Sequence, residues 1–244
     1  MPLIDIRTEK LAHNMDIFVS KKHVFTSDAL LLANFASPKR KDKVCDLGTG
    51  CGIIPLIWHR DFSPSENVGV EISEKAYSLF QRTLELNNLS DKIKCINADL
   101  RNLDDVLPYE YFDVVTINPP YKKRGAGNVN KSEEKMNARH EYSCTLSDAV
   151  SAAYKLLRFG GKFVLCHRPE RLCDIFCTMR ENQIEPKWLC EVAQRKGKEP
   201  SLVLIEGRKG GNSGMRISPT FYIENEDGNY TKEAKDIFYA YKYK

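Results

Sequence analysis

No stretch of about 18 apolar residues occurs anywhere in this 244-residue sequence, so no segment is suited to span a bilayer as a helix. The opening Met1-Pro2-Leu3-Ile4-Asp5 lacks the apolar run of a secretory signal, and a cytoplasmic location is expected. Also missing is any Cys-x-x-Cys pair among the eight cysteines, which removes the usual spacing of a zinc ribbon or redox motif. Cys45, Cys95 and Cys166 sit among apolar neighbours, and Cys173 and Cys177 are four apart on an expected helix. Reduced, buried thiols are expected. Net charge is small at +4, which permits a nucleic-acid partner without demanding one. No repeat or long linker marks a second domain, and one domain over 1–244 is expected.

What is present is alternation. After some forty residues with little periodicity beyond a short helix at 28–33, capped near Thr26 or Ser27, the pattern changes at Lys43. Strands are predicted at 44–47, 68–71, 93–96, 112–117 and 162–166, and two more near 187–193 and 201–206. Helices are predicted between them at 53–59, 75–87, 146–157 and 169–181, with Gly160-Gly161 stopping the third. The last thirty residues read as an appended hairpin followed by a helix at 232–241. Strands alternating with helices imply an α/β fold with a doubly wound, mostly parallel sheet.

The turn after the first of these strands reads Asp46-Leu47-Gly48-Thr49-Gly50-Cys51-Gly52. Glycines there let the backbone turn sharply and approach a ligand. A dinucleotide fingerprint needs its third glycine at position 53, which is Ile53. That departure, with an acid at the head of the loop, disfavours a pyrophosphate and suits S-adenosylmethionine, whose amino-acid end carries an ammonium. Glu71 ends the second strand about twenty residues beyond Gly48, where nucleotide-type folds place the acid that binds ribose hydroxyls. Asp99, after the third strand, can accept from the cofactor's adenine amino group. Ile72 and Leu100, next to these acids, are assigned to the same pocket, as is Thr49 of the loop.

The fourth strand closes on Asn118-Pro119-Pro120-Tyr121. An exocyclic amino nitrogen is a poor nucleophile because its lone pair is delocalised into the ring. Acceptors on Asn118 and the Pro119 carbonyl can hold its N–H groups. Pro120 stiffens that carbonyl, and Tyr121 can stack on the flat acceptor. Transfer then needs positioning and electrostatics rather than a strong base.

Taken together, these motifs resemble the class I amino-methyltransferases. Phe25 to Leu32 resembles the segment that lines the cofactor pocket in that group, which assigns Thr26 and Asp28 to the cofactor. Ala138-Arg139-His140-Glu141, Arg168-Pro169-Glu170-Arg171-Leu172 and Tyr230-Thr231-Lys232-Glu233 resemble the bacterial valine-tRNA adenine-N6 methyltransferases. The resemblance implies a Rossmann-like sheet of seven strands with the last antiparallel. It implies an N-terminal segment 1–41 lining the pocket, a core at 42–207 and an extension at 208–244. It further implies S-adenosylmethionine as cofactor and tRNA as partner, the target being the adenine 3′ of the anticodon. Lys122, Lys123, Arg124, Arg139 and His140 would then lie over the acceptor, while Arg195, Lys196 and Lys198, with Lys209 and Arg216, would meet RNA backbone.

Other acceptors share the Asn-Pro-Pro-Tyr chemistry: guanine N2 in rRNA, adenine N6 in DNA, and the glutamine of release factors. Release-factor enzymes usually carry an extra N-terminal helical domain, and the large rRNA enzymes a second copy of the fold. A catalytically silent RNA-binding protein is a different class, against which the intact Asp46, Glu71, Asp99 and Asn118 argue.

Overall fold

The computed structural model describes residues 6–11, 15–119 and 144–239. Strands β1 (Ile6–Leu11) and β2 (Met15–Ser20) form an antiparallel pair. Helix α1 (Ser27–Ala36) leads into β3 (Lys43–Leu47), α2 (Ile53–Ile57) with a π-turn at Trp58–Phe62, and β4 (Glu66–Glu71). Then come α3 (Glu74–Leu86), β5 (Lys94–Asn97), β6 (Phe112–Ile117), α4 (Leu146–Leu156) and β7 (Leu157–His167). Helix α5 (Leu172–Glu181), β8 (Ile184–Ala193), β9 (Leu202–Lys209), the two-residue strands β10 (Arg216–Ile217) and β11 (Phe221–Tyr222), and α6 (Lys232–Tyr239) complete the order.

The main sheet runs β10-β8-β9-β7-β6-β3-β4-β5, with β11 also on β8. Seven strands, β3 to β9, form its body, and β9 is antiparallel to both β7 and β8. This is the Rossmann-like arrangement expected, a parallel sheet closed by one reversed strand. Because β9 reverses, β8 runs parallel to β7. The C-terminal ends of β3, β4, β6, β7 and β8 therefore share one edge, the side on which open α/β sheets bind ligands.

Both faces of the sheet are covered. Alternate residues divide between two apolar layers: Val114, Val164 and Cys166 pack with α1, α2 and α3, while Val115, Phe163 and Leu165 pack with α4 and α5. Local signals begin the helices. The Ser73 hydroxyl accepts from Ala76 N–H at the start of α3, and Thr145 and Asp148 form a reciprocal capping box at the start of α4.

Two expectations are corrected and a third is refined. The first forty residues hold the β1–β2 pair, which polar residues such as Arg7 and Glu9 conceal. Its outer edge is latched to α3: Phe18 N–H donates to Thr83 Oγ1 at 3.0 Å, and Asp16 N–H to Asn87 Oδ1 at 3.0 Å. The expected C-terminal hairpin is short: Glu224 bridges Tyr230 in antiparallel fashion and Thr231 N–H donates to the Ile223 carbonyl at 3.0 Å, while β10 and β11 before it lie parallel to the outer edge of β8 and cover groups that would otherwise be bare. Cys173 and Cys177 are exposed on α5 rather than buried. No helix among the described residues is long and apolar enough to cross a membrane.

Candidate cofactor and acceptor site

The loop after β3 turns left-handed at Gly52, φ +87°, and at two further glycines, Gly48 at φ +66° and Gly50 at φ +61°. A Cβ at Gly48 or Gly50 would meet no atom within 4 Å, so the backbone borders open space. Gly52 differs. A Cβ there would stand 2.1 Å from the Phe80 ring of α3, so this glycine serves the packing of α2 against α3.

Asp46 lies on β3 directly opposite Thr116 of β6 and accepts that hydroxyl at 2.6 Å. It is 1 % exposed. Burial pushes its carboxyl up from 3.8 to about 7, against the Thr116 hydrogen bond, which lowers it. Thr49 Oγ1 is also buried and has no hydrogen-bond partner among the described residues, though its nearby hydroxyl eases the rise at Asp46. No lysine or arginine among the described residues bridges Asp46. A buried acid without a cation and an orphaned hydroxyl beside an open glycine cradle fit a ligand carrying an ammonium group.

Glu71, nearly buried at the end of β4, accepts Gly50 N–H on Oε2 and Ser73 N–H on Oε1, both at 2.8 Å. The carboxylate is thereby fixed, and lone pairs remain for a diol. Asn97 at the end of β5 donates to the Glu71 carbonyl at 2.7 Å, tying the next loop to the same edge. That loop carries Asp99. A cleft lined by Gly48, Val70, Ile72, Asp99, Leu100 and Cys144 brings four of the expected cofactor residues together. Arg101 Nε and Nη2 clasp the Asp99 carboxylate. The Arg101 hydrogen bond holds its pKa below the ordinary value, so Asp99 stays an anion and an acceptor.

Thr26 is exposed at the start of α1 and makes no capping bond, and Asp28 is half-buried in the first turn. Asn118 follows β6 at the shared edge, where its Oδ1 accepts the Cys166 thiol at 3.1 Å. Pro119 is the last described residue of this segment; Pro120, Tyr121, Lys122, Lys123, Arg124, Arg139 and His140 lie outside the described residues.

Arg195, Lys196 and Lys198 are exposed on the turn between β8 and β9, at the same edge as Asn118. Arg168, just past β7, braces this turn by donating to the Ser201 carbonyl at 2.8 Å. Lys209 is different and corrects the expectation of an RNA contact. It is 5 % exposed, and its ammonium donates to the carbonyls of Tyr154 and Leu157 and to Glu110. Arg216 is exposed and stacks on Trp188, 5.0 Å from the ring centre.

Sequence reasoning missed three residues. Thr116 could have been found, since it stands two before Asn118 on a strand and shares its face. Cys166 gave no signal beyond an apolar strand. His23 lies within electrostatic reach of Glu71, and burial holds its imidazole below the usual 6.5.

The model of the methyltransferase small domain matches residues 9–168. A tRNA1(Val) (adenine(37)-N6)-methyltransferase of Histophilus somni is 28 % identical over 186 residues, covering 73 % of this chain and 74 % of its own. Another of that name from Porphyromonas gingivalis is 26 % identical over 215 residues, covering 85 % and 84 %. Among solved structures, one described as a predicted O-methyltransferase from Agrobacterium tumefaciens superimposes with a TM-score of 0.72 at 21 % identity, covering 87 % of this chain and 96 % of that one. The last similarity speaks for the fold.

Proposed function

The chain belongs to the methyltransferase small domain family, and on that premise we propose that it methylates the exocyclic N6 of an adenine in tRNA, with S-adenosylmethionine as donor. The finer reading is the adenine 3′ of the anticodon of valine tRNA; the relatives from Histophilus somni and Porphyromonas gingivalis are named for adenine 37 of tRNA1(Val). The observation that carries the proposal is one sheet edge bearing Asn118 beside the cradle of Asp46, Gly48, Gly50 and Glu71.

When bound, S-adenosylmethionine supplies an electrophilic methyl group on a cationic sulfur. Asp46 would hold the ammonium of its amino-acid end, and Glu71 the ribose hydroxyls. Asp99, kept anionic by Arg101, retains room to accept from the adenine amino group of the cofactor. Gly48 and Gly50 admit the ligand because nothing projects from them.

The acceptor base would be held by Asn118 Oδ1 and the Pro119 carbonyl, both taking N–H bonds from its amino group. Fixing those two hydrogens aims the nitrogen lone pair and favours the pyramidal geometry that attack requires. Both acceptors also suit the positive charge that develops on that nitrogen, whose surplus proton then leaves to solvent. The exposed Arg195, Lys196 and Lys198 supply phosphate contacts at this edge. A base splayed from an anticodon loop reaches such a pocket without the cost of opening a duplex.

The test is incubation of the protein with labelled S-adenosylmethionine and unmodified tRNA, followed by digestion and separation of nucleosides. Label in N6-methyladenosine supports the proposal. Label appearing only in rRNA, DNA or a release factor offered in parallel overturns the acceptor and keeps the chemistry.

A further inference from the structure

Strands β3, β6 and β7 begin, and β9 ends, at the edge of the sheet opposite Asn118. Helix α1 stops there at Ser37, φ 38°, and the buried Pro38 turns the chain into Lys39-Arg40-Lys41 before β3 begins. The backbone of this loop is anchored. Lys39 N–H donates to Asp42 Oδ2 at 2.8 Å, and Ser65 Oγ donates to the Lys41 carbonyl at 2.9 Å. Lys39, Arg40 and Lys41 are all exposed, and none enters an ion pair among the described residues.

The loop lies against the start of β7, where Lys162 donates to the Ala36 and Ser37 carbonyls. Three residues earlier, Phe159 is 75 % exposed. Its ring rests on Gly210, φ +65°, where a Cβ would stand 2.2 Å from it. The acids bound into this region are already engaged. Asp113 accepts Lys43 N–H at 2.8 Å and Arg158 Nε at 2.6 Å, and Glu206 holds Arg208 at 2.9 Å.

We propose that this N-terminal edge is a second RNA-binding face, with Lys39, Arg40 and Lys41 meeting phosphates and Phe159 stacking on an unpaired base. It takes as occupant the RNA of the methyl-transfer reading above. Three cations without carboxylate partners leave a local positive excess that attracts a polyanion. An aromatic ring held on glycine backbone among cations offers a platform for a base. An acidic protein would also satisfy the cations, but the open ring favours a nucleobase over a carboxylate. The six residues of β6 separate the two edges by roughly 20 Å, so this face adds affinity without touching the chemistry.

The test uses the full-length protein and unmodified tRNA, with binding read by filter retention over a range of salt. Lys39→Gln, Arg40→Gln and Lys41→Gln together should weaken binding about tenfold or more at low salt and reduce the salt slope by up to about three. Phe159→Ser should weaken it about five- to tenfold and leave the slope alone, because stacking releases no counterions. Both variants should raise KM for tRNA, hold kcat within about twofold and leave cofactor Kd unchanged. A native slope in the triple variant, or native affinity in Phe159→Ser, overturns the proposal. So does a triple variant that loses an acidic protein partner while its RNA binding stays intact. Binding that depends on this face, in a protein that transfers no methyl group to tRNA, overturns the acceptor assignment and leaves the face standing.

Discussion

Glu71 Oε2 accepts the backbone N–H of Gly50 at 2.8 Å, so the acid ending one strand holds the glycine loop that follows its neighbour. The same carboxylate is the group proposed to bind the ribose diol. Glu71→Ala should therefore weaken S-adenosylmethionine binding by about ten- to a hundredfold, the range for losing charge-assisted hydrogen bonds. Titration calorimetry reads this, and native affinity in the variant contradicts the assignment.

Asp46 makes cofactor binding depend on pH. Its carboxyl titrates near 7 because it is buried, and an ammonium ligand requires the ionised form. Affinity should fall about tenfold for each pH unit below about 7, and Asp46→Asn should abolish most of that slope. The stability effect has the opposite sense. Its folded pKa lies above the ordinary 3.8, so stability is lost between about pH 4 and about pH 7 as the unfolded chain ionises first. Cofactor-free Asp46→Asn should thus melt higher than the native protein at neutral pH.

Two glycines of one loop should fail in different ways. Gly52→Ala drives a methyl group into the Phe80 ring at a left-handed φ of +87°, and a loss of about 2–4 kcal/mol in stability is expected in denaturant unfolding. Gly48→Ala meets no protein atom within 4 Å, so about 1–2 kcal/mol of backbone strain is expected together with a large loss of cofactor affinity. Unimpaired binding by Gly48→Ala would contradict the open space being the cofactor cradle.

Lysines assigned alike from charge alone should separate. Lys209→Met leaves the Tyr154 and Leu157 carbonyls without their donor and should cost about 1–3 kcal/mol of stability, with little change in RNA affinity. Replacing Lys196 and Lys198 together should leave the melting point alone, weaken tRNA binding and reduce its salt slope by up to about two. An unchanged slope in filter binding would remove this turn from the interface.

Lys209 illustrates what the sequence withholds. A lysine at a strand end reads as surface charge until the carbonyls that close α4 and start β7 are seen around it. The glycine loop, Glu71 and Asn118 were legible because their chemistry depends on local order: each ends a strand, and parallel strands deliver their ends to one edge. The β1–β2 pair was half legible. Ile17 and Val19 alternate as a strand should, whereas the adjacent Arg7 and Thr8, both exposed, break the alternation in β1. The Arg101 clasp on Asp99 and the Cys166 contact with Asn118 depend on rotamers and on register between strands, which composition and spacing do not encode.

Asn118 offers the most direct measurement. The single-turnover rate of methyl transfer to tRNA should be compared for native protein and Asn118→Ala, each saturated with labelled S-adenosylmethionine, alongside cofactor affinity by calorimetry. Transfer into N6-methyladenosine should fall by at least about a hundredfold in the variant while cofactor affinity stays within a few-fold. A variant that transfers at the native rate would contradict the catalytic site described above.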